Sequence, residues 1–399
     1  MFVFILWREF KLSIAELYNL FPKVRFLHVN PEFLILDDIS KDDIIDNFKK
    51  IWWVIKVIEI NDELKIEKDF LKFGIEYILK SKSLSDLEWE SGKFKFAIAK
   101  YWEMRFDSFT SGIQIKKELV KSKMWSIRFV NKENKNINSA VFKNEKLGWE
   151  NWQELNIIKV WDRILAWNTI IFQDVDEYSK RDLWKSRDMQ VWMLPPKLAQ
   201  MMINISWKNS WIYDPFCGLG TVLVEAANSG FKNILWSDIR EDLVEISERN
   251  LENFIRFKNS KFDYIFFKMD AVNISKINKK LDWFNIVTEW YLWDIMTKWH
   301  VTIEKIESQR QKLASLYEWF FSWLRKIDFK WSIVISFPFW EFKGKFYYFS
   351  EIYEILKKYW FNPQKLLPDD IGFSETRSWS ILYKREDQQV GREIFKLRR

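Results

Sequence analysis

The stretch YDPFCGLGTVLVEAA, residues 213–227, contains the residue types best suited to chemistry. An apolar strand ends at Asp214, and Gly218 and Gly220 precede a helix, so the backbone can approach a ligand at the carboxyl end of the strand. A nicotinamide dinucleotide site requires a third glycine at the position of Leu223. A carboxylate at Asp214 repels phosphates and attracts an ammonium group. These features indicate S-adenosylmethionine, which carries an ammonium, a sulfonium and a ribose but no phosphate.

Two further carboxylates end the next two predicted strands. Asp238 closes FKNILWSDI, 18 residues after Gly220, where a carboxylate can accept hydrogen bonds from both ribose hydroxyls. Asp270 closes YIFFKMDA, where a carboxylate can meet the adenine amino group. Because the carboxyl ends of parallel strands share one edge of a sheet, three successive strands ending in aspartate predict one extended cofactor site.

The elements that must position these residues alternate as strand and helix over 192–399. This alternation predicts an α/β fold with a doubly wound, Rossmann-like sheet. The first sixty residues have the order βαββαβ of a ferredoxin-like domain. A second alternation covers 61–174, and the polar segment 175–191 is typical of a linker. We therefore predict three domains, 1–60, 61–174 and 192–399, joined by the linker 175–191.

A dense basic segment lies in the predicted middle domain. The chain has 63 basic and 56 acidic residues, a formal charge of +7, and residues 111–146 alone contain nine Lys or Arg against three Glu. Such a segment is typical of a surface that binds nucleic-acid phosphates, although an ordinary solvated helix face is the alternative. The candidate RNA-binding residues are Lys116, Lys117, Lys121, Lys123 and Arg128.

Composition excludes several classes of protein. No apolar run approaches the ~20 residues that span a bilayer, so we expect no membrane segment. One cysteine rules out a disulfide framework and is typical of the reducing cytoplasm. Two histidines and that cysteine do not supply a usual zinc site, so no metal is expected. The sequence leaves the oligomeric state open, with a monomer favoured.

Tryptophan stands where glycine is expected. The chain has 25 Trp and 10 Gly, whereas average usage of about 7% predicts roughly 28 glycines. Trp360 follows a predicted helix at the position that favours a left-handed conformation, and Trp236 ends a strand beside the cofactor loop. We hypothesise that many of these residues are glycines encoded by UGA in a variant genetic code. The alternative is a genuinely tryptophan-rich protein.

The motif DPFCGLGT resembles the first motif of the THUMP-domain tRNA guanosine N2-methyltransferases, in the branch acting at position 10 of tRNA. The likeness extends through KFKFAIAKYW and SIRFVN, which resemble the THUMP segment, to SILYKREDQQVGREIF near the carboxyl terminus. It implies a Rossmann-like methyltransferase domain, S-adenosylmethionine as cofactor and tRNA as partner. The family usually has glycine where this chain has Trp52, Trp192, Trp236 and Trp293.

The resemblance also implies roles for individual residues. Asp214, Gly218 and Gly220 hold the methionine part of the cofactor, within a loop completed by Pro215, Cys217 and Thr221. Pro195 and Lys197 lie beside the methionine carboxylate. Asp238 and its neighbour Ile239 meet the ribose side, and Asp270 and Ala271 the adenine. Cys217 is expected to be a small packing residue, and a surface lysine is the alternative for Lys197.

The segment TEWYLW, residues 288–293, stands where amino-methylating relatives have Asp/Asn-Pro-Pro-Tyr/Phe. The resemblance implies that Glu289, or Thr288 in the other register, accepts a hydrogen bond from the guanine amine and that Tyr291 stacks on the flipped-out base. Both prolines are missing here. Trp290 and Trp293 crowd the pocket if they are tryptophans and open it if they are glycines. A strand end without a catalytic part is the alternative.

Two other functions remain open at this point. One is methylation of another tRNA site or of rRNA, because domain geometry sets the substrate position. The other is a non-catalytic RNA-binding protein that retains the cofactor fold. Methyl transfer from S-adenosylmethionine to tRNA distinguishes an enzyme from a binding protein.

Overall fold

The computed structural model describes residues 1–60, 62–64, 69–80, 94–102, 107–121, 127–147, 152–160, 163–174, 194–206, 211–258, 284–289, 302–386 and 388–399. The chain divides into two compact units. Unit 1 contains Met1–Phe10, Lys23–Lys49 and Val54–Glu177, and unit 2 contains Lys11–Pro22, Lys50–Trp53 and Tyr178–Arg399.

The strands of the first sixty residues are β1 (Phe2–Leu6), β2 (Arg25–Val29), β3 (Phe33–Asp37) and β4 (Val54–Glu59). They lie in the order β2-β3-β1-β4 with every neighbouring pair antiparallel. This is the ferredoxin-like order that the βαββαβ pattern predicts. The helices are α1 (Phe10–Leu20) and α2 (Lys41–Phe48), and Ser40 caps α2 by accepting the Asp43 amide.

The same sheet continues with strands from the predicted middle domain. It runs from β4 through β9 (Arg163–Phe172), β8 (Trp152–Val160) and β6 (Phe94–Tyr101) to β7 (Ile127–Phe129), and the short strand β5 (Asp62–Leu64) pairs with β9. The helices of this region are α3 (Asp69–Lys80), α4 (Ser108–Lys121) and α5 (Ser139–Asn144).

Helix α1 belongs mainly to unit 2, where its polar side chains have hydrogen-bond partners. Ser13 donates to the carbonyl of Trp53 at 2.8 Å, and Asn204 donates to the Glu16 carboxylate at 2.7 Å. Compactness thus groups this helix with the carboxyl-terminal part of the chain. The domain boundaries predicted at 60, 174 and 191 remain predictions.

The sheet of unit 2 confirms the Rossmann-like prediction. Its order is β11 (Asn233–Trp236), β10 (Trp211–Asp214), β12 (Asn285–Glu289), β13 (Ile333–Phe342), β17 (Val390–Arg398) and β15 (Asn362–Pro363). The first four strands are parallel, and β17 is antiparallel to β13. Two short strands, β14 (Lys345–Tyr348) and β16 (Ile381–Tyr383), pair with β13 and β17.

The helices of unit 2 are α6 (Pro196–Ser206), α7 (Thr221–Asn228), α8 (Glu241–Lys258), α9 (Ile303–Lys326) and α10 (Glu351–Tyr359). The core between the sheet and α9 is rich in aromatic residues: Tyr317 packs edge-on against Phe337 at 4.8 Å between ring centroids, and Phe320 packs against Phe216 at 5.3 Å. The strand predicted to end at Asp270 lies outside the described residues.

Backbone conformation bears directly on the tryptophans. Trp360 ends α10 with φ +67° and ψ +34°, the left-handed conformation predicted from the sequence. Trp102 and Trp379 also have positive φ, at 66° and 58°. A side chain resists this region, so these three positions are ones where glycine is physically favoured.

We expect Trp360→Gly to relieve backbone strain of roughly 1 kcal/mol. Part of this gain in stability is lost, because the Arg325 guanidinium lies 5.8 Å from the Trp360 ring centroid and the substitution removes that ring. Trp319→Gly is the matched control, because Trp319 is also partly exposed but lies inside α9, where glycine costs about 1 kcal/mol. The free energy of unfolding, measured with urea at 25 °C, should be higher for Trp360→Gly than for Trp319→Gly. The reverse order would contradict the strain argument.

Candidate active site

A glycine loop follows β10 and is tied down by backbone hydrogen bonds. The Cys217 amide donates to the Ser237 carbonyl at 3.0 Å, and the Gly220 amide donates to the Cys217 carbonyl at 2.8 Å. Gly218 and Gly220 have φ of +50° and +79°. A Cβ on Gly220 would lie 2.8 Å from the Ser247 Cβ, whereas a Cβ on Gly218 would meet no described heavy atom within 4 Å. The loop therefore packs on α8 through Gly220 and presents open space at Gly218.

Asp214 lies at the end of β10 and is buried. Its Oδ1 accepts the Thr288 hydroxyl at 2.6 Å and the Phe216 amide at 3.2 Å. Burial raises the pKa of this carboxyl to about 7, and the charges of Asp238 and Glu289 act in the same direction. Its partners in the described part of the chain are neutral, so a cationic ligand group would meet an uncompensated carboxylate.

Asp238 follows β11 and contacts the glycine loop at Gly218. Its carboxylate accepts the Gly218 amide at 3.0 Å and the Arg240 amide at 3.0 Å. Burial raises the pKa of Asp238 despite these hydrogen bonds. Its neighbour Ile239 is 77% exposed and offers apolar surface beside the carboxylate. The structure thus brings together Asp214, Gly218, Gly220 and Asp238, four of the residues predicted to bind the cofactor.

The remaining loop residues have structural contacts. The Pro215 carbonyl accepts the Ser237 hydroxyl at 3.1 Å, and Thr221 begins α7 with its side chain buried. The Cys217 thiol is buried with its sulfur 3.6 Å from the Ser247 hydroxyl oxygen, and burial raises its pKa well above the usual range. A thiol in this setting stays protonated, which agrees with a packing role.

Lys197 and Pro195 lie at the start of α6. The Pro195 carbonyl accepts the amides of Leu198 and Ala199 at 2.9 and 3.0 Å. The Lys197 ammonium lies 5.5 Å from the Trp52 ring centroid. Burial lowers the pKa of Lys197 to about 8, opposed by the charge of Glu16. The carboxylate-binding role of Lys197 stays a prediction.

The end of β12 carries the two predicted catalytic positions that the structure describes. The Thr288 hydroxyl is directed to Asp214, as described above. The Glu289 carboxylate forms a buried, bidentate ion pair with Arg392: Nη2 donates to Oε2 at 3.1 Å, and Nε donates to Oε1. Ser336 also donates to Oε1 at 3.1 Å. The Arg392 side chain is 1% exposed and that of Glu289 7%.

Sequence reasoning missed Arg392 and Ser336. The available signal was a charged residue in VGREIF, inside an apolar strand, where an arginine is almost never buried unless it is paired. Register explains the contact with Ser336, because Glu289 lies opposite Ser336 in the β12–β13 pair. Oε2 of Glu289 accepts one described hydrogen bond and retains capacity for another.

The predicted RNA-binding residues lie in unit 1. Lys116, Lys117 and Lys121 are exposed on α4, and Lys121 forms an ion pair with Glu118 at 2.6 Å. Arg128, on β7, forms an ion pair with Glu145 at 2.9 Å. Part of the basic charge is therefore balanced within the unit. The predicted site residues outside the described ranges are Lys123, Asp270, Ala271 and Tyr291.

Metal-binding clusters and membrane-spanning helices are both absent from the described part of the chain. No cluster of three or more His, Cys, Asp or Glu in those ranges is arranged to hold a metal ion. None of the helices described there is both long enough and apolar enough to cross a membrane.

Part of this chain is similar to known methyltransferases. Residues 185–290 match the family model UPF0020, described as an RMKL-like methyltransferase domain. Over 61 residues the chain is 44% identical to the tRNA (guanine(10)-N2)-dimethyltransferase of Pyrococcus abyssi, and over 120 residues 31% identical to the type II methyltransferase M.MthZI of Methanothermobacter thermautotrophicus. These matches cover 15% and 26% of this chain, and 18% and 34% of the two relatives.

The fold has a full-length counterpart. The crystal structure of TrmN from Thermus thermophilus aligns with 100% of this chain over 99% of its own length, with a TM-score of 0.51 and 14% identity. At this identity the likeness shows the fold. Residues 185–290, which contain the glycine loop, Asp238 and Glu289, match the UPF0020 methyltransferase-domain model, and the chain as a whole has a fold similar to that of TrmN.

Proposed function

We propose that this protein transfers a methyl group from S-adenosylmethionine to the exocyclic N2 of a guanine in tRNA. The observation that carries the proposal is the placement of Asp214 and Asp238 on either side of an open glycine loop, with Thr288 and Glu289 at the neighbouring strand end. The relatives named tRNA (guanine(10)-N2)-dimethyltransferase support this substrate, although the chain matches only 18% of the first of them.

The described residues fit the cofactor. When bound, S-adenosylmethionine supplies an electrophilic methyl group. Asp214 offers a buried carboxylate to the ammonium, and Asp238 can accept hydrogen bonds from the ribose hydroxyls. Gly218 leaves space for close approach, and Ile239 offers an apolar surface to the adenosine. Lys197 and Pro195 at the methionine carboxylate, and Asp270 and Ala271 at the adenine, complete the proposed site.

The proposed role of Glu289 is to orient the amine. The lone pair of a guanine amine is delocalised into the ring, so reaction requires the nitrogen to be held towards the methyl group. Oε2 of Glu289 can accept a hydrogen bond from N2–H while Arg392 and Ser336 hold the carboxylate in place. As the N2–methyl bond forms, the bond from the methyl group to the sulfonium breaks and S-adenosylhomocysteine is released. The proton is then lost from N2 to water, and Tyr291 stacks on the base in this proposal.

The ion pair is also the observation that favours the second candidate, a non-catalytic RNA-binding protein. Arg392 and Ser336 already engage both oxygens of Glu289. If they leave no room for an amine, the site binds the cofactor without turnover. A reducing cytoplasmic location, a monomeric state and action at another tRNA or rRNA site likewise remain predictions or alternatives.

Transfer of tritiated methyl from S-adenosylmethionine to unmodified tRNA, followed by nucleoside analysis, tests the proposal. We expect N2-methylguanosine with the wild type and loss of turnover with Glu289→Ala and Tyr291→Ala. Lys116→Ala/Lys117→Ala should weaken tRNA binding and lower the slope of log K against log salt by about 0.9 for each phosphate that the protein no longer neutralises. Cofactor binding without methyl transfer would favour the non-catalytic candidate.

A further inference from the structure

Strand β13 extends well beyond its parallel partner. It pairs with β12 as far as Glu289↔Ser336 and then continues for six residues, Phe337–Phe342. The first four of these pair with β17, and Phe339–Phe342 pair antiparallel with β14. Six residues of strand span about 20 Å. Because Asp214 and Glu289 end parallel strands of the same sheet, this hairpin projects from the edge that carries the candidate active site.

The hairpin has a defined conformation. Its two-residue turn has φ of +50° at Lys343 and +73° at Gly344, values typical of the type I′ turn that matches the twist of paired strands. At its base, Trp340 is buried and donates from Nε1 to Gln309 at 3.2 Å. The hairpin is therefore anchored to α9 near its base.

The tip combines an aromatic ring with positive charge. Phe346 is 47% exposed, and its ring is held from one side by Phe339, at 5.3 Å and 70° between ring planes. Lys343 and Lys345 are exposed on either side of Gly344. The carboxylate of the hairpin, Glu341, forms an ion pair with Lys384 at 2.7 Å. The remaining surface is cationic and has an exposed ring.

This chemistry fits single-stranded nucleic acid better than a protein partner. An apolar groove is expected where a helix or strand of another protein docks, whereas this hairpin end carries one exposed ring and two exposed lysines. Bases stack on such rings regardless of sequence, and lysines contact the phosphates of the strand.

We propose that hairpin 339–348 binds the RNA strand flanking the target nucleotide, with Phe346 stacked on a neighbouring base and Lys343 and Lys345 on its phosphates. The proposal rests on RNA being the substrate. The hairpin is a second RNA-binding surface in this proposal, in addition to the basic face of α4 in unit 1. It belongs to unit 2 and lies at the sheet edge that carries the candidate active site. An extruded base leaves its neighbours unstacked, and an exposed ring there compensates for the missing stacking.

The test uses the full chain with a fluorescently labelled unmodified tRNA and a labelled 12-nucleotide single-stranded RNA. Phe346→Ala should weaken binding of both about tenfold, and Phe346→Trp should restore it. Lys343→Asn/Lys345→Gln removes both charges, and asparagine tolerates the left-handed conformation at 343. For the single strand, the salt slope of this variant should fall by about 0.7 for each phosphate that is no longer neutralised.

Matched controls lie at the opposite edge of the sheet, since α8 and α9 end there. Lys326→Gln/Lys330→Gln removes two exposed charges near the end of α9, and Phe257→Ala removes a partly exposed ring near the end of α8. Both should bind RNA like the wild type. Thermal unfolding and S-adenosylmethionine binding of the hairpin variants should match the wild type, which separates weaker RNA recognition from impaired folding.

Each outcome separates this inference from the proposed function. If the wild type transfers methyl groups and the hairpin variants bind RNA and react as it does, the proposed role of the hairpin alone is overturned. Binding of RNA that depends on the hairpin, without methyl transfer, supports the hairpin and overturns the catalytic proposal. A wild type that binds neither RNA overturns both.

Discussion

Asp214→Asn is expected to weaken S-adenosylmethionine binding by about tenfold to a hundredfold while making the cofactor-free protein more stable at pH 8. The weaker binding follows from removing a buried, charge-assisted interaction with the ammonium, which contributes roughly 1.5–3 kcal/mol. The higher stability follows because asparagine can still accept the Thr288 hydroxyl but carries no charge to desolvate. Isothermal titration calorimetry and urea unfolding measure the two effects.

The pH dependence has a definite sign. Burial raises the pKa of Asp214 from 3.8 to about 7, so the folded state holds its proton more tightly than the unfolded state. Stability from this group is fully present below about pH 4 and is lost as the pH rises towards 7. The difference between these two pKa values corresponds to at most about 4 kcal/mol in the free energy of unfolding. Asp214→Asn should therefore match the wild type at pH 4 and exceed it at pH 8.

Cofactor binding should show the opposite trend. Only the ionised carboxylate attracts the ammonium, so wild-type affinity should rise between pH 6 and 8, and Asp214→Asn should lack this rise. Asp242→Asn is the control, because Asp242 is exposed and paired with Arg240. It should leave both the affinity for the cofactor and the free energy of unfolding close to the wild-type values. Undiminished binding by Asp214→Asn would contradict the assignment.

Arg392→Met is expected to destabilise the protein by about 3–5 kcal/mol. The substitution leaves the buried Glu289 carboxylate without its cationic partner, and an uncompensated buried charge carries a penalty of this size. Adding Glu289→Gln removes the charge and should restore most of the stability, because glutamine can still accept the Ser336 hydroxyl. Urea unfolding of the four proteins forms a double-mutant cycle.

The same cycle separates stability from catalysis. Arg392→Met/Glu289→Gln should fold, bind S-adenosylmethionine and retain part of the methyl transfer, because glutamine keeps an acceptor oxygen for the amine. Arg392→Met/Glu289→Leu lacks that oxygen and should lose methyl transfer if Glu289 orients the amine. Arg310→Met is the control, since the Arg310–Glu351 pair is partly exposed and should contribute at most about 1 kcal/mol. Equal destabilisation by Arg310→Met and Arg392→Met would show that the buried pair has no special role.

Several structural features of this protein could be predicted from local sequence patterns. The strand-to-glycine turn after Asp214 and the left-handed residue at Trp360 were predicted correctly, because each depends on the conformation of a few consecutive residues. The ferredoxin-like order was also predicted correctly, because the succession βαββαβ is typical of that arrangement. The placement of Asp214 and Asp238 at the same edge of the sheet followed from the rule that parallel strands end at one edge.

Contacts between distant segments required the tertiary structure. The Arg392–Glu289 pair joins residues 103 positions apart, and α1 binds Asn204 across 188 positions. Lys197 lies near Trp52 and Glu16, which no local pattern connects to it. The length of the β13–β14 hairpin relative to β12 likewise depends on strand register.

The sequence by itself therefore determined the kinds of elements at the candidate cofactor site, and it predicted the residues that these elements carry there. The tertiary structure decided which side chains those residues meet, above all whether Glu289 stands alone or beside Arg392. The physical reason is that backbone preference and hydrophobic period act over a few residues. Burial and charge pairing are properties of the packed chain, and they decide how a carboxylate behaves.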